Sequence, residues 1–134
     1  MKQKKVEKKK DEWTKIGVVG VDSGQLMICD PGYIDGHWTE EEFTGGGKAK
    51  NPLSYNGICQ PLLKKSATQV NFPMGHAGLA VAFSSGLGDG LYDVFAKYEE
   101  LDGWGRRIVE VKIVLLTDEH LDICNQVLMG APRK

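Results

Sequence analysis

The stretch GLAVAFSSGLGDGLYDVFAKY, residues 78–98, decides the fold class. An apolar run at 78–84 and an alternating run at 91–98 stand on either side of a glycine-rich segment that contains Asp89. Alternation with a period of two is typical of a strand, and glycine supplies the backbone angles of tight turns. The stretch therefore predicts two strands with a strand-to-strand connection between them.

The rest of the chain repeats short apolar runs broken by glycine, proline and aspartate, which is the pattern of strands joined by turns. Further strands are predicted at residues 15–21, 25–29, 68–72 and 107–116. The first two are predicted to form a hairpin, because the residues between them have turn chemistry. A second hairpin turn is predicted at residues 101–105.

At most two short helices are predicted. Thr39 would cap a single helical turn at residues 37–43, with acidic residues near the positive end of its dipole. A C-terminal helix is predicted to begin at Thr117 and to end at Gly130. The fold class that follows is mainly β: an antiparallel β-sandwich or curled sheet with a short C-terminal helix.

Length and composition favour one globular domain. The chain has 134 residues, 41% of them hydrophobic, and no apolar run approaches the roughly 20 residues that cross a bilayer. Residues 1–12 hold six lysines against three acidic residues, so they are predicted to be a disordered basic tail on a single β-rich domain at 13–134. Cys29, Cys59 and Cys124 are predicted to be reduced thiols of a cytoplasmic protein.

Two glycine-rich segments fail as nucleotide-binding motifs. Residues 86–90 are followed by a strand pattern, whereas a dinucleotide fingerprint needs a helix there. Residues 45–49, GGGKA, lack the first glycine and the Ser/Thr of a phosphate-binding loop. Residues 86–90 are therefore interpreted as a turn with positive φ angles, and residues 45–52 as a mobile surface loop. Residues 55–63 are weakly patterned.

Asp22 is a candidate catalytic residue, because Asp22-Ser23-Gly24 matches the Asp-Ser/Thr-Gly signature of aspartic proteases. In those enzymes two carboxylates share a proton and activate a water molecule. Asp89 follows a strand in the same way as Asp22, and His76 could meet either of them and act as a base. A small hydrolase, aspartic-protease-like or assisted by a divalent ion, is therefore one hypothesis. No metal site or cofactor is predicted.

Two segments together resemble a group of uncharacterised bacterial and phage proteins. The segments are GVDSGQLMICDPGY at 20–33 and SGLGDGLYDV at 85–94. In that group a V-D-x-G segment ending in D-P-C-Y is paired with a G-x-G-D-G-x-Y-x-V segment, and here Gly32 stands where the group has cysteine. The group is a domain of unknown function, so the resemblance implies no activity. It does imply that the Asp22 and Asp89 loops belong to one structural unit.

We expect a non-enzymatic intracellular binding or protein-interaction module, with the hydrolase as the alternative. The loops at 22–24, 30–37 and 86–90 are expected to form its binding surface at one end of the sheet. The candidate ligand-binding residues are Asp22, Ser23, Asp30, Tyr33, Gly88, Asp89 and Tyr92. The expected partner is a protein or a small ligand. The lysine tail predicts weak contact with polyanions, no membrane binding is expected, and a homo-oligomer is left open.

Overall fold

The computed structural model describes residues 12–128 and divides them into two compact units. The terminal unit contains the described residues up to Gly20 and from Gly90 onward, and the central unit is Val21–Asp89. Residues 1–11 and Gly130 lie outside the described residues. The disordered tail, the helix end at Gly130 and the single domain at 13–134 therefore stay predictions.

Six strands and three helices follow one another in the described chain. In order they are β1 (Trp13–Val21), β2 (Gln25–Cys29), α1 (Gly32–His37), α2 (Tyr55–Leu62), β3 (Ala67–Asn71), β4 (Ala77–Ser84), β5 (Gly90–Leu101), β6 (Gly105–Ile113) and α3 (Asp118–Leu128). The strands form two three-stranded sheets, in the orders β1-β5-β6 and β2-β4-β3. The predicted fold class is confirmed, because the fold is mainly β, with antiparallel sheets that are not closed and a short C-terminal helix.

The central unit is built on the sheet β2-β4-β3. β2 pairs with β4 from Gln25 opposite Ser84 to Cys29 opposite Ala80, and β3 pairs with the other edge of β4. Apolar side chains from α2, from the segment before it and from β3 and β4 form the core: Leu53, Ile58, Val70, Leu79, Ala80 and Ala82. Removal of these side chains from water is the main force that holds α2 on the sheet.

The terminal unit is built on the sheet β1-β5-β6, and its hairpin turns where the sequence predicted. The β5-β6 hairpin closes with Leu101 opposite Gly105, and Gly103 and Gly105 both have φ of +75°. Glycine adopts this left-handed conformation without the steric cost that a Cβ brings. The predicted hairpin turn at 101–105 is therefore confirmed.

The terminal unit's sheet has one face that carries an ion pair and one that carries exposed apolar side chains. Lys15 Nζ lies 3.1 Å from Asp93 Oδ1, which places both residues on the first face. Alternation along the strands and the β5-β6 register place Ile16, Val18 and Val111 on the opposite face. All three of these apolar side chains are exposed.

The predicted hairpin between the first two strands is wrong. β1 lies in the sheet β1-β5-β6, whereas β2 lies in the sheet β2-β4-β3. The backbone groups of β2 are taken by β4, and the carbonyl of Gly24 accepts a hydrogen bond from the Ser85 N–H at 3.0 Å. Turn chemistry predicts that the chain changes direction, but it does not decide which strand the next one pairs with.

The prediction of at most two helices is also wrong, because the described chain contains three. α1 ends at His37, where the helical turn at 37–43 was expected to begin. Thr39 instead forms a parallel bridge with Ser54, and its N–H donates to the Leu53 carbonyl at 3.2 Å. α2 begins after Ser54, whose hydroxyl caps the helix by accepting from the Gly57 N–H at 2.9 Å.

Candidate functional site

The loops that carry Asp22 and Asp89 leave the same end of the central unit's sheet. β2 begins at Gln25 and β4 ends at Ser84, and these two residues are opposite each other in the antiparallel register. The Ser85 N–H donates to the Gly24 carbonyl at 3.0 Å, so the two loops are joined directly. We call this surface, made of residues 22–24, 85–89 and Tyr55, the acidic end.

The loop that follows β4 is held in a fixed shape by its own hydrogen bonds. Ser85 is fully buried, and its hydroxyl donates to the Gly88 carbonyl at 2.8 Å. The Gly88 N–H donates back to the Ser85 carbonyl at 2.9 Å, and Gly86 and Gly88 have φ of +60° and +107°. The loop is therefore a tight turn that holds Leu87, which is 68% exposed, and Asp89 at the surface.

Tyr55, the first residue of α2, lies within electrostatic reach of both aspartates. Hydrogen bonding to the Cys59 side chain, the charge of that group, burial, and the charges of Asp22 and Asp89 together raise the pKa of Tyr55 above its ordinary value. The Tyr55 side chain is 44% exposed. The half-exposed Tyr55 ring thus lies within electrostatic reach of the two carboxylates of the acidic end.

A partly buried polar contact involves Cys59, the hydrogen-bond partner of Tyr55. Gln25 Nε2 donates to the Cys59 sulfur at 3.0 Å, and Cys59 is buried one helical turn after Tyr55. The Gln25 Oε1 atom is buried and has no hydrogen-bond partner among residues 12–128. This contact ties the first strand residue after the Asp22 loop to α2.

Both carboxylates of the acidic end are exposed and available. Asp22 and Asp89 form no ion pair with any Lys, Arg or His side chain that the structure describes. Within the same 117 residues, 12–128, no three His, Cys, Asp or Glu side chains converge as metal ligands. Within the described residues, no side-chain cation therefore neutralises the negative charge of the acidic end.

Three predicted site residues lie at the other end of the sheet. Asp30 and Tyr33 follow β2, whose five residues at about 3.3 Å each span roughly 16 Å. His76 precedes β4, whose eight residues separate it from the acidic end by about 25 Å. The expectation that residues 22–24, 30–37 and 86–90 share one end is wrong, and His76 does not meet Asp22 or Asp89.

The residues at that other end have local roles. The Asp30 carboxylate accepts from the Gly32 N–H at 2.8 Å. The Tyr33 ring packs edge-on against Phe72 at 5.4 Å, and the His76 ring lies 4.7 Å from Phe72. Tyr92, the remaining predicted ligand residue, is buried in the terminal unit.

A network around Glu41, which the sequence did not predict, fastens the glycine-rich loop to α2. Glu41 Oε1 accepts from the Lys50 N–H at 2.8 Å, and Oε2 accepts from Asn56 Nδ2 at 3.1 Å and from the Ser54 hydroxyl at 3.3 Å. Desolvation raises the pKa of Glu41, but these hydrogen bonds outweigh it, so that the pKa lies below its ordinary value.

Asn56 continues this network toward the glycines. It is 2% exposed, and its Oδ1 accepts from the Thr44 N–H at 3.2 Å and from Gln60 Nε2 at 2.9 Å. Gln60 Nε2 also lies 3.3 Å from the Gly46 carbonyl. The loop at 45–52, expected to be a mobile surface loop, is thus held to α2 by side-chain hydrogen bonds.

An open concavity of about 700 Å³ lies between this loop and α2. Its lining includes residues 45–50, Pro52, Gly57, Gln60, Pro61 and Lys64. We call it the lysine groove, after Lys48, Lys50 and Lys64. The sequence signal for it was the GGGKAK segment at 45–50, which does not match the spacing of a phosphate-binding loop and was interpreted as part of a mobile surface loop.

A scan against protein-family models, a search of curated proteins and a search of solved structures each find no match to this chain. The resemblance to the bacterial and phage group therefore stays a prediction. No helix within residues 12–128 has the length and apolar composition needed to cross a membrane. The functional argument rests on the geometry of the two surfaces in the central unit.

Proposed function

We propose that this protein is a non-enzymatic interaction module whose acidic end binds a basic segment of a protein partner. The observation that carries the proposal is that two exposed carboxylates, which form no ion pair within residues 12–128, lie within electrostatic reach of a half-exposed tyrosine ring. A lysine or arginine side chain can form an ion pair with such carboxylates and stack on such a ring. Leu87, which is exposed in the loop that carries Asp89, adds an apolar contact.

The shape of the acidic end supports recognition of a macromolecule. Its loops are fixed by the Ser85 hydrogen bonds, so binding does not need to order them first. The exposed Ile16, Val18 and Val111 on the terminal unit's sheet are also the kind of apolar surface that interaction proteins present. A cytoplasmic location and a bacterial or phage origin belong to the same proposal.

The alternative of a hydrolase has less support. His76, the base predicted for Asp22 or Asp89, lies about 25 Å away along β4 and cannot exchange a proton with either carboxylate. Cys59 is buried and accepts from Gln25, which makes its sulfur a packing and hydrogen-bonding group. The acidic end therefore favours binding over catalysis.

The proposal is tested by titrating the full chain into a fluorescently labelled peptide of alternating lysine and arginine and measuring anisotropy. The double variant Asp22→Asn/Asp89→Asn is compared with Asp35→Asn/Asp102→Asn, which makes the same charge change at exposed positions outside the acidic end. Two exposed ion pairs of about 0.5–1 kcal/mol each predict a roughly five- to thirtyfold weaker binding of the first variant.

The control variant is expected to bind the peptide as tightly as wild type at physiological salt. Equal weakening in both double variants would mean that net charge, and not the acidic end, attracts the peptide. Unchanged binding in Asp22→Asn/Asp89→Asn would reject the proposal directly.

A further inference from the structure

The lysine groove combines two kinds of anion-binding group on one concave surface. The backbone N–H groups of residues 45–49 have no acceptor within the described part of the chain. Lys48, Lys50 and Lys64 line the same concavity and pair with no carboxylate between residues 12 and 128. We propose that this groove binds a phosphate or diphosphate group of a small phosphorylated molecule, at a site separate from the acidic end.

The backbone of the loop is suited to this task. Gly45 and Gly47 have φ of +74° and +85°, a conformation that turns successive N–H groups away from regular strand or helix pairing. A Cβ built on any of the three glycines at 45–47 would meet no atom within 4 Å, so no neighbouring group crowds the backbone on that side. An anion can therefore approach the backbone closely.

The charge balance of the groove favours an anion. No acidic residue is among those that line it, while three lysines are. The nearest carboxylate that the structure ties to this loop is Glu41, and its oxygens already accept from the Lys50 N–H, Asn56 and Ser54. Three lysines and no acidic residue among the lining give the groove a positive charge balance.

The groove is also largely formed before any ligand arrives. Asn56 and Gln60 hold the loop through Thr44 and the Gly46 carbonyl, so its donors need little reorganisation on binding. Several N–H donors and three mobile ammonium groups match the many oxygens of a phosphate or diphosphate better than the two oxygens of a carboxylate. This match is the reason for choosing a phosphorylated ligand over a carboxylic acid.

Pyrophosphate is the probe for the first experiment, with calorimetry on the full chain. The triple variant Lys48→Gln/Lys50→Gln/Lys64→Gln is compared with Lys4→Gln/Lys5→Gln/Lys8→Gln, which removes the same charge from the N-terminal lysine run. The groove variant is expected to bind pyrophosphate about tenfold more weakly or worse, because charge-assisted contacts are lost, and the N-terminal variant is expected to bind like wild type. The opposite pattern, or equal loss in both, would overturn the proposal.

A second measurement does not depend on the variants folding. Amide NMR of the wild-type chain during a pyrophosphate titration should show shifts at Gly45, Gly46 and Gly47, whose amides border the groove. Citrate at the same ionic strength should shift them much less. Shifts confined to other residues, or equal shifts with citrate, would show that the groove is not a phosphate site.

Discussion

Replacement of Gly57 by alanine is expected to destabilise the protein by about 3 kcal/mol, the upper part of the range for overpacked sites. An added Cβ would collide with the carbonyl oxygens of Asn51 and Pro52, which are backbone atoms that cannot rotate away. Gly57 is buried within α2, so either the helix or the segment at 51–53 must move. In a chain of this size such a loss lowers the Tm by roughly 10 °C. Urea and thermal unfolding followed by circular dichroism measure both quantities.

Gly36→Ala is the matched control. Gly36 also lies in a helix, but a Cβ there meets no atom within 4 Å and its φ is not in the left-handed region. This substitution should leave stability unchanged or raise it by about 0.5–1 kcal/mol, because alanine narrows the unfolded ensemble and favours helix. If Gly57→Ala unfolds at the same urea concentration as wild type, α2 does not pack on the Asn51 and Pro52 carbonyls. The lysine groove would then lose one of its walls.

Glu41 should make the stability of the central unit depend on pH. The pKa of Glu41 in the folded protein lies below the ordinary value. Its contribution to the free energy of unfolding is therefore complete above the ordinary pKa and is lost as the pH falls through the folded pKa. The difference in urea midpoint between wild type and Glu41→Gln should therefore shrink between about pH 6 and pH 3, and a constant difference would contradict this. Tyr55→Phe should keep the binding of the basic peptide, whereas Tyr55→Leu should weaken it about two- to fivefold, since an exposed cation–π contact contributes about 0.5–1 kcal/mol. Equal loss in both Tyr55 variants would assign the contact to the hydroxyl.

The strands could be predicted because their signal is local. Alternation at 91–98 and 107–116 and the apolar run at 78–84 each reflect which faces of a strand are covered, and these segments form β5, β6 and β4. The pairing of β1 with β5, and of β2 with β4, joins segments that are tens of residues apart. No period in the sequence encodes such partners, so the predicted hairpin of the first two strands was wrong.

α2 was missed because its sequence contains two residues that usually interrupt helices. Gly57 is required by the close approach of the Asn51 and Pro52 carbonyls, and Pro61 falls in the last turn. The helix is stabilised by the Ser54 cap and by the burial of Ile58, which are tertiary and capping effects that outweigh intrinsic propensity. The sequence signal for the start of this helix was Ser54, because serine is a preferred residue at helix N-caps.

Only part of the candidate site could be predicted, because a sequence signals local structure and not which segments meet. Asp22 and Asp89 were predicted because each lies just after a predicted strand, among residues that are typical of turns. Their loops do leave one end of the sheet. Tyr55, which completes the acidic end, comes from the missed helix. Asp30 was placed with Asp22 although β2 stands between them, and the length of that strand alone separates the two ends.

One short helix supports both proposed surfaces, and its period explains how. Residues four apart lie on one face of a helix, while adjacent residues point about 100° apart. Tyr55 and Cys59 accordingly face the Gln25 side, whereas Asn56 and Gln60 face the glycine-rich loop. Substitutions at Tyr55 should therefore alter only peptide binding, and the groove lysines only pyrophosphate binding. Gly57→Ala forces α2 or the segment at 51–53 to move, so a folded fraction of that variant should lose pyrophosphate binding, and should lose peptide binding as well if α2 is the part that moves.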